Sequence, residues 1–388
     1  MKRAIVPVVF LAALNFSQQV SAIEFDGFLT AGFAIHDQTQ VDKSKVVYAD
    51  EITDDVTFLQ DSKFGLQVTA DVVEDMQVVS QILASAEDDN YSMDVEWAYL
   101  DYALADSTML RGGRIKQPVF LISDYLEVGY AYPWIRPPAE AYSNMPVDSL
   151  IGIELLYQTQ IAGLNLGVQP YFGSNTEGVP GQATVNFFAD NYVGIALRLE
   201  NQYVTFQVSS FQTDVSTVDS GAGGFNSEGT AVLSVASLSW DVANFVGYSE
   251  YTTRDIEADK GTLSTFTQGG AANGFNDIPF DALFSDQDGY YVTLGYRMGK
   301  YLPHLTFATI DSDPAGPATD FSQGARQETV TLGLRYELND SAALKMEYAQ
   351  IEIEDNPGNT GLFERQSISS AFVEDKTSLI SVAVDVIF

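Results

Sequence analysis

The alternation of tight and long connectors between period-2 segments constrains this chain more than any other feature. Sixteen segments read as strands: 23–35, 62–72, 76–86, 94–104, 107–117, 151–160, 164–173, 191–200, 202–213, 229–240, 243–254, 288–299, 301–311, 327–338, 341–352 and 376–388. Apolar residues recur at every second position in most of them, the spacing of a strand with two unlike faces. Val73–Glu74–Asp75, Ala105–Asp106, Ile161–Ala162–Gly163, Asn201, Val242, Lys300 and Asn339–Asp340 form tight connectors. The others, 36–61, 87–93, 118–150, 174–190, 214–228, 255–287, 312–326 and 353–375, are long and carry the Gly, Asn, Asp, Ser and Pro of loops. A sandwich or propeller gives no reason for such one-sided loop lengths. A transmembrane barrel does: it has an even strand number, short turns at one rim and long loops at the other. It also leaves no unpaired backbone edge facing lipid. The expected fold is all-β, a 16-stranded antiparallel transmembrane barrel.

The strand faces agree. In 327–338, Val330, Leu332, Leu334, Tyr336 and Leu338 share one face, and Thr329, Thr331, Gly333, Arg335 and Glu337 the other. Tyr290, Val292, Leu294 and Tyr296 oppose Tyr291, Thr293, Gly295 and Arg297 in the same way. The apolar face belongs against lipid and the polar face against a wet lumen. Tyr157, Phe172, Tyr296, Tyr336, Tyr348 and Phe388 are placed to form interfacial girdles. Segment 94–104 is ambiguous, since Glu96/Ala98/Leu100/Tyr102 and Val95/Trp97/Tyr99/Asp101 are both mixed.

Residues 1–22 read as a cleaved secretory leader. Lys2 and Arg3 precede the apolar run Ala4–Leu14, and Val20-Ser21-Ala22 is a small-residue cleavage site. The run is too short to span a bilayer as a helix. The chain has no cysteine, and 53 acidic residues against 19 basic give a formal charge of −34. That charge opposes binding to nucleic-acid phosphates. With 24 Phe and 20 Tyr, the composition is not that of an acidic disordered chain. The two histidines, His36 and His304, lie in no local nucleophile–base motif, and no phosphate loop or metal cluster is apparent. The reading is of a non-enzyme without cofactor or metal.

Three features give a family resemblance. The C-terminal strand ends on Phe388. Leu110-Arg111-Gly112-Gly113-Arg114 closes the fifth strand. A long third loop, Pro118–Leu150, then runs into Ile151-Gly152-Ile153-Glu154. In these the chain resembles the Gram-negative general porins, which are 16-stranded and usually trimeric. The resemblance implies an outer-membrane barrel over 23–388 whose third loop, 118–150, folds inward as a constriction. It implies passage of small hydrophilic solutes and ions, contact with lipid and lipopolysaccharide, and Phe388 as part of the signal read by the barrel-assembly machinery. The chain departs from enteric members at the loop tip, where Tyr132-Pro133-Trp134-Ile135-Arg136-Pro137-Pro138-Ala139-Glu140 stands.

On this reading Asp124, Glu127, Arg136 and Glu140 of the loop, with Asp148, face Arg114 and Lys116 of the wall across the constriction. Such opposed charges rank ions by sign. Prolines 133, 137, 138 and 146 suit an ordered loop. Arg198, Arg297, Arg335 and Lys345 fall near the short turns and line an inner vestibule. A three-residue turn at 339–341 sets Arg335 opposite Lys345, so a charge-compensated network is an equal alternative. Three inward bases are expected two residues after an inward glycine, at Gly112/Arg114, Gly295/Arg297 and Gly333/Arg335. The acidic residues of 36–61, 87–93 and 353–375 read as a solvated surface, without calcium-loop spacing. They lean the channel weakly towards cations. Two rivals stand beside it. One is a solute-specific channel built on Phe120, Tyr125, Tyr130, Tyr132, Trp134 and Tyr142. The other is a closed structural or adhesive barrel.

Overall fold

The pairing of the strands follows the sequence pattern closely. The computed structural model describes residues 23–38, 47–48, 52–58, 60–87, 90–145, 149–178, 185–219, 225–263, 267–268, 271–272, 286–313, 326–354, 361–364 and 375–388. The expected leader lies outside them, as do Asp148 and several loop acids, among them Asp42, Asp88, Asp89 and Asp355. Sixteen strands make one closed antiparallel barrel. They are β1 (Glu24–His36), β2 (Lys63–Val73), β3 (Met76–Glu87), β4 (Asn90–Ala105), β5 (Thr108–Lys116), β6 (Ser149–Ile161), β7 (Leu164–Gly178), β8 (Val185–Glu200), β9 (Val204–Asp219), β10 (Phe225–Val242), β11 (Phe245–Leu263), β12 (Asp286–Tyr296), β13 (Tyr301–Asp313), β14 (Arg326–Asn339), β15 (Ala342–Ile353) and β16 (Lys376–Ile387).

Each strand pairs with its sequence neighbours, and β1 pairs with both β2 and β16. Closure is completed at Gly27 and Phe388, whose backbone N–H groups donate to each other's carbonyls at 2.8 and 2.9 Å. The Phe388 ring lies over Gly27, where any side chain would collide with it, and stacks on Phe64 at 6.3 Å. At the β6–β7 turn, Ala162 and Gly163 both have positive φ, 52° and 82°, which suits a tight hairpin.

Alternation sorts the faces. Tyr291, Thr293, Thr329 and Arg335 are buried inside, while Leu294, Leu305, Leu332 and Ile380 are exposed outside. An outward apolar band around a closed ladder is what a bilayer requires. The mixed pattern of 94–104 has a physical cause. Val95 pairs with Ile82 and Trp97 with Gln81, so Glu96 is an extra residue that shifts the register. Val95 therefore faces out, and Trp97, Tyr99 and Asp101 face in.

Two expectations on extent need correction. Connector 87–93 is not long, because the ladder continues to a Glu87–Asn90 pair. Several strands also run beyond their apolar cores. β10 and β11 pair as far as Phe225–Leu263 through Asn, Gly, Thr and Asp residues that read as loop. Pairing with a neighbouring strand overrides local propensity there.

At the long-loop rim, Val47–Tyr48, Ile52–Thr53 and Phe363–Glu364 form a small three-stranded sheet. It joins the first external loop to the last. Tyr48, Ile52 and Phe363 pack onto the inward Ala34, Ala349, Ile351, Ile353 and Leu379. This corner of the lumen is apolar and filled.

Candidate functional site

The third loop turns inward at the end of β5. Ile115, Val119 and Phe120 join a buried cluster with Leu150, Tyr171 and Phe211. Polar groups on the inner wall then receive the backbone. Gln207 Nε2 donates to the carbonyls of Pro118, Val119 and Phe120 at 3.4, 3.2 and 3.2 Å, and Arg198 donates to Leu121 O at 3.1 Å. Leu121 N–H donates to the Glu250 carboxylate at 2.9 Å. Ser237, Tyr142 and Tyr291 hydroxyls donate to the same carboxylate at 2.6, 2.5 and 2.8 Å.

The middle of the loop crosses the lumen. Glu127 pairs with Lys63 at 2.9 Å and lies 4.0 Å from Lys116, which pairs with Glu96 at 2.6 Å. Gly129 then passes so close to Asp385 that a Cβ would strike its carboxylate. Lys345 Nζ donates to the carbonyls of Gly129 and Trp134 at 2.5 Å each and pairs with Asp385 at 2.9 Å. Arg335 donates to Tyr130 O and Tyr132 O at 2.5 and 2.9 Å. Trp134 Nε1 reaches Thr293 and Thr306 at 2.9 and 3.2 Å. Ile135 N–H reaches Glu347 at 3.0 Å, and Arg136 binds Asp61 and Ser381. A single helical turn, Ala139–Tyr142, brings Glu140 to Gln327 at 2.7 Å and to Thr329. Asn144 ends the crossing on Thr252 at 2.5 Å. These contacts reach β2, β5, β8, β9 and β11–β16.

The arc β4–β7 presents a different surface. Arg111 donates to both oxygens of Asp101 at 2.7 and 3.1 Å and to Glu154 at 2.9 Å. Its guanidinium lies 4.0 Å over the Tyr99 ring. Gln169 donates to Glu154 at 2.6 Å. Asp124 of the loop is exposed and acts electrostatically on both Tyr99 and Glu154. Asp101 and Glu154 around one guanidinium leave this group with a net charge of −1, and the exposed Asp124 adds a further negative charge nearby. A recess of about 430 Å³ opens towards the short-turn rim, lined in part by Asp71, Glu74, Asp75, Gln77 and Asp101.

Two loop groups feel these surroundings. Burial acts to raise the Glu127 carboxyl, but Lys63 and Lys116 outweigh it and hold the group below the usual carboxylate range. The Tyr125 hydroxyl is pushed up to about 12, by burial first, with Glu250 and Asp124 adding to it and Arg198 opposing.

The charged residues anticipated from sequence are redistributed. Arg114 is a correction. It pairs in register with the exposed Ala98 and Ile151, on the face opposite Arg111, so it does not line the lumen. Lys116 and Glu127 do not face each other across a gap but belong to one chain of ion pairs. Arg136 and Glu140 anchor the loop to the wall, and among the described loop charges Asp124 alone stands in the open. Arg335 does face Lys345, as the turn length implied. Both are buried and hold loop carbonyls, so neither is open vestibule lining. Arg198 also holds one, yet it is half-buried and lines a recess near the short turns with Asp106, Gln158 and Glu200. Arg297 sits exposed at the rim, paired with Asp241 at 2.8 Å. Sequence reasoning missed Arg111, Asp101, Glu154, Lys63 and Glu250. The one available signal was Tyr99/Asp101 at period 2, which fixes the inner face of β4 and hence of its partner β5.

A closed 16-stranded barrel with an apolar outer band is the fold of outer-membrane porins, a multi-pass architecture of that membrane. No protein-family model matches the chain, and no curated protein matches it. Solved structures share the fold. Outer-membrane-expressed OmpT of Vibrio cholerae superposes with a TM-score of 0.59 at 10% identity, covering 94% of this chain and 97% of that one. An anion-selective porin from Comamonas acidovorans gives 0.57 at 11% identity, covering 95% and 99%. The outer-membrane channel DcaP of Acinetobacter baumannii gives 0.54 at 12% identity, covering 94% and 97%.

Proposed function

We propose that this protein is an outer-membrane porin. It forms a water-filled channel through which small hydrophilic solutes and ions diffuse passively, with a weak preference for cations. The observation that carries the reading is the division of the lumen. The third loop is bonded across one side, and a wet, charged arc remains at β4–β7. Asp101 and Glu154 around Arg111, with Asp124 nearby, attract cations. The leader at 1–22 delivers the chain for export, and Phe388 serves as an assembly signal. The barrels associate as homotrimers among lipid and lipopolysaccharide; one of the V. cholerae OmpT structures is of a trimer form. No catalytic activity is assigned.

Burial of Phe120, Tyr132 and Trp134 against the wall weighs against a solute site built on the loop aromatics. Reconstitution in a planar bilayer tests the proposal. Discrete conductance steps are expected, with a reversal potential in a salt gradient that favours cations slightly. Absence of steps would point to a closed structural barrel, and clear anion preference would overturn the charge reading.

A further inference from the structure

Glu250 is fully buried, yet its carboxylate is met by four donors of which none is basic: Leu121 N–H and the hydroxyls of Ser237, Tyr142 and Tyr291. Arg198 approaches the same residue through its carbonyl, donating to Leu121 O at 3.1 Å. Leu121 is thus held between a positive and a negative group. Three residues further on, Asp124 stands in the open arc.

We infer that Glu250 sets the ion selectivity of the channel without lining it. It balances Arg198 behind the loop, so that the field in the lumen is governed by Asp124, Asp101 and Glu154. The inference rests on the porin reading above. A fixed charge in a dry seat is screened little by its surroundings, and its field emerges into the adjacent water. The Tyr125 hydroxyl, on the loop beside Asp124, already senses Glu250. Neutralising Glu250 would leave Arg198 unopposed and turn the lumen towards anions.

The test compares Glu250→Gln, which removes charge and keeps shape, with Glu250→Asp, which keeps charge and shortens the reach. Reversal potentials in potassium chloride gradients are read near 0.1 M and near 1 M. Glu250→Gln is expected to lower the cation-to-anion permeability ratio about two- to tenfold at the lower salt. The effect should shrink at the higher salt, where the Debye length falls to ~3 Å. Glu250→Asp should stay near wild type. No shift in Glu250→Gln overturns the inference. So does an equal shift in Glu250→Asp, or one that persists at high salt, since either means displaced loop rather than lost charge. If Glu250→Gln does not assemble, Arg198→Gln decides: a shift towards cations supports the balance, and none overturns it. Wild-type protein without conductance steps would overturn the porin reading itself, and this inference with it.

Discussion

The lumen wall has two arcs built from the same side chains and used in opposite ways. On β14–β16, Arg335, Lys345 and Asp385 form a buried charged group. On β4–β6, Arg111, Asp101 and Glu154 form another. The difference lies in where the donors end. Lys345 and Arg335 give theirs to carbonyls of the third loop, so that arc is a seat. Arg111 gives its donors to wall carboxylates and stacks on Tyr99, so its charge is held within the wall and none of its donors is given to the loop. An inward charge is not by that fact a channel-lining charge.

The comparison can be broken most severely by removing the seated segment. Deleting part of 132–140 should raise single-channel conductance strongly, because Trp134, Ile135 and Arg136 would no longer occupy their wall partners. Unchanged conductance would mean that the loop does not narrow the path. Next in size is Lys345→Ala. It leaves Asp385 buried without its partner, a loss of about 3–5 kcal/mol. Thermal unfolding in detergent should show it, and Lys345→Ala with Asp385→Ala should recover part of it.

On the other arc, Arg111→Ala leaves Asp101 and Glu154 buried without their base, a comparable stability loss, but it should act more on selectivity. Asp101, Glu154 and Asp124 would stand unopposed, raising the cation-to-anion ratio about two- to tenfold at low salt. A shift towards anions would show that this arc does not face the path. Between the arcs, Glu127 gives a pH test. Its folded carboxyl titrates lower than its unfolded one, so its link to Lys63 and Lys116 contributes fully above the ordinary carboxylate value. The contribution is lost as pH falls through the lowered folded value. The stability gap between wild type and Glu127→Gln should therefore hold flat above about pH 5 and close on acidification. Arg114→Ala, off the lumen, should leave conductance and selectivity unchanged in the planar bilayer, the smallest effect on transport.

Strand number, face assignment and closure were legible because a period of two leaves few choices of register. The site was less so, for reasons local to particular residues. Gly112 and Gly113 carry no side chain to mark a face, and the buried Ile115 breaks the polar-inside rule, so Arg114 and Arg111 exchange roles. Glu96 inserts a residue and blurs the pattern of β4. Glu250 looks like any inward acid of a wet wall. Its role is given by Leu121, 129 residues earlier, and no local pattern records that distance.

The reach of the third loop also orders events in time. Ile135 meets Glu347, 212 residues later, and Arg136 meets Ser381, 245 residues later. Contacts this remote in sequence are slow to form. The loop cannot be seated until β15 and β16 stand in the ring. The seat of a segment that lies less than halfway along the chain is thus completed by the last two strands, and a chain cut before β15 would carry the loop without Lys345, Glu347 and Ser381 to receive it.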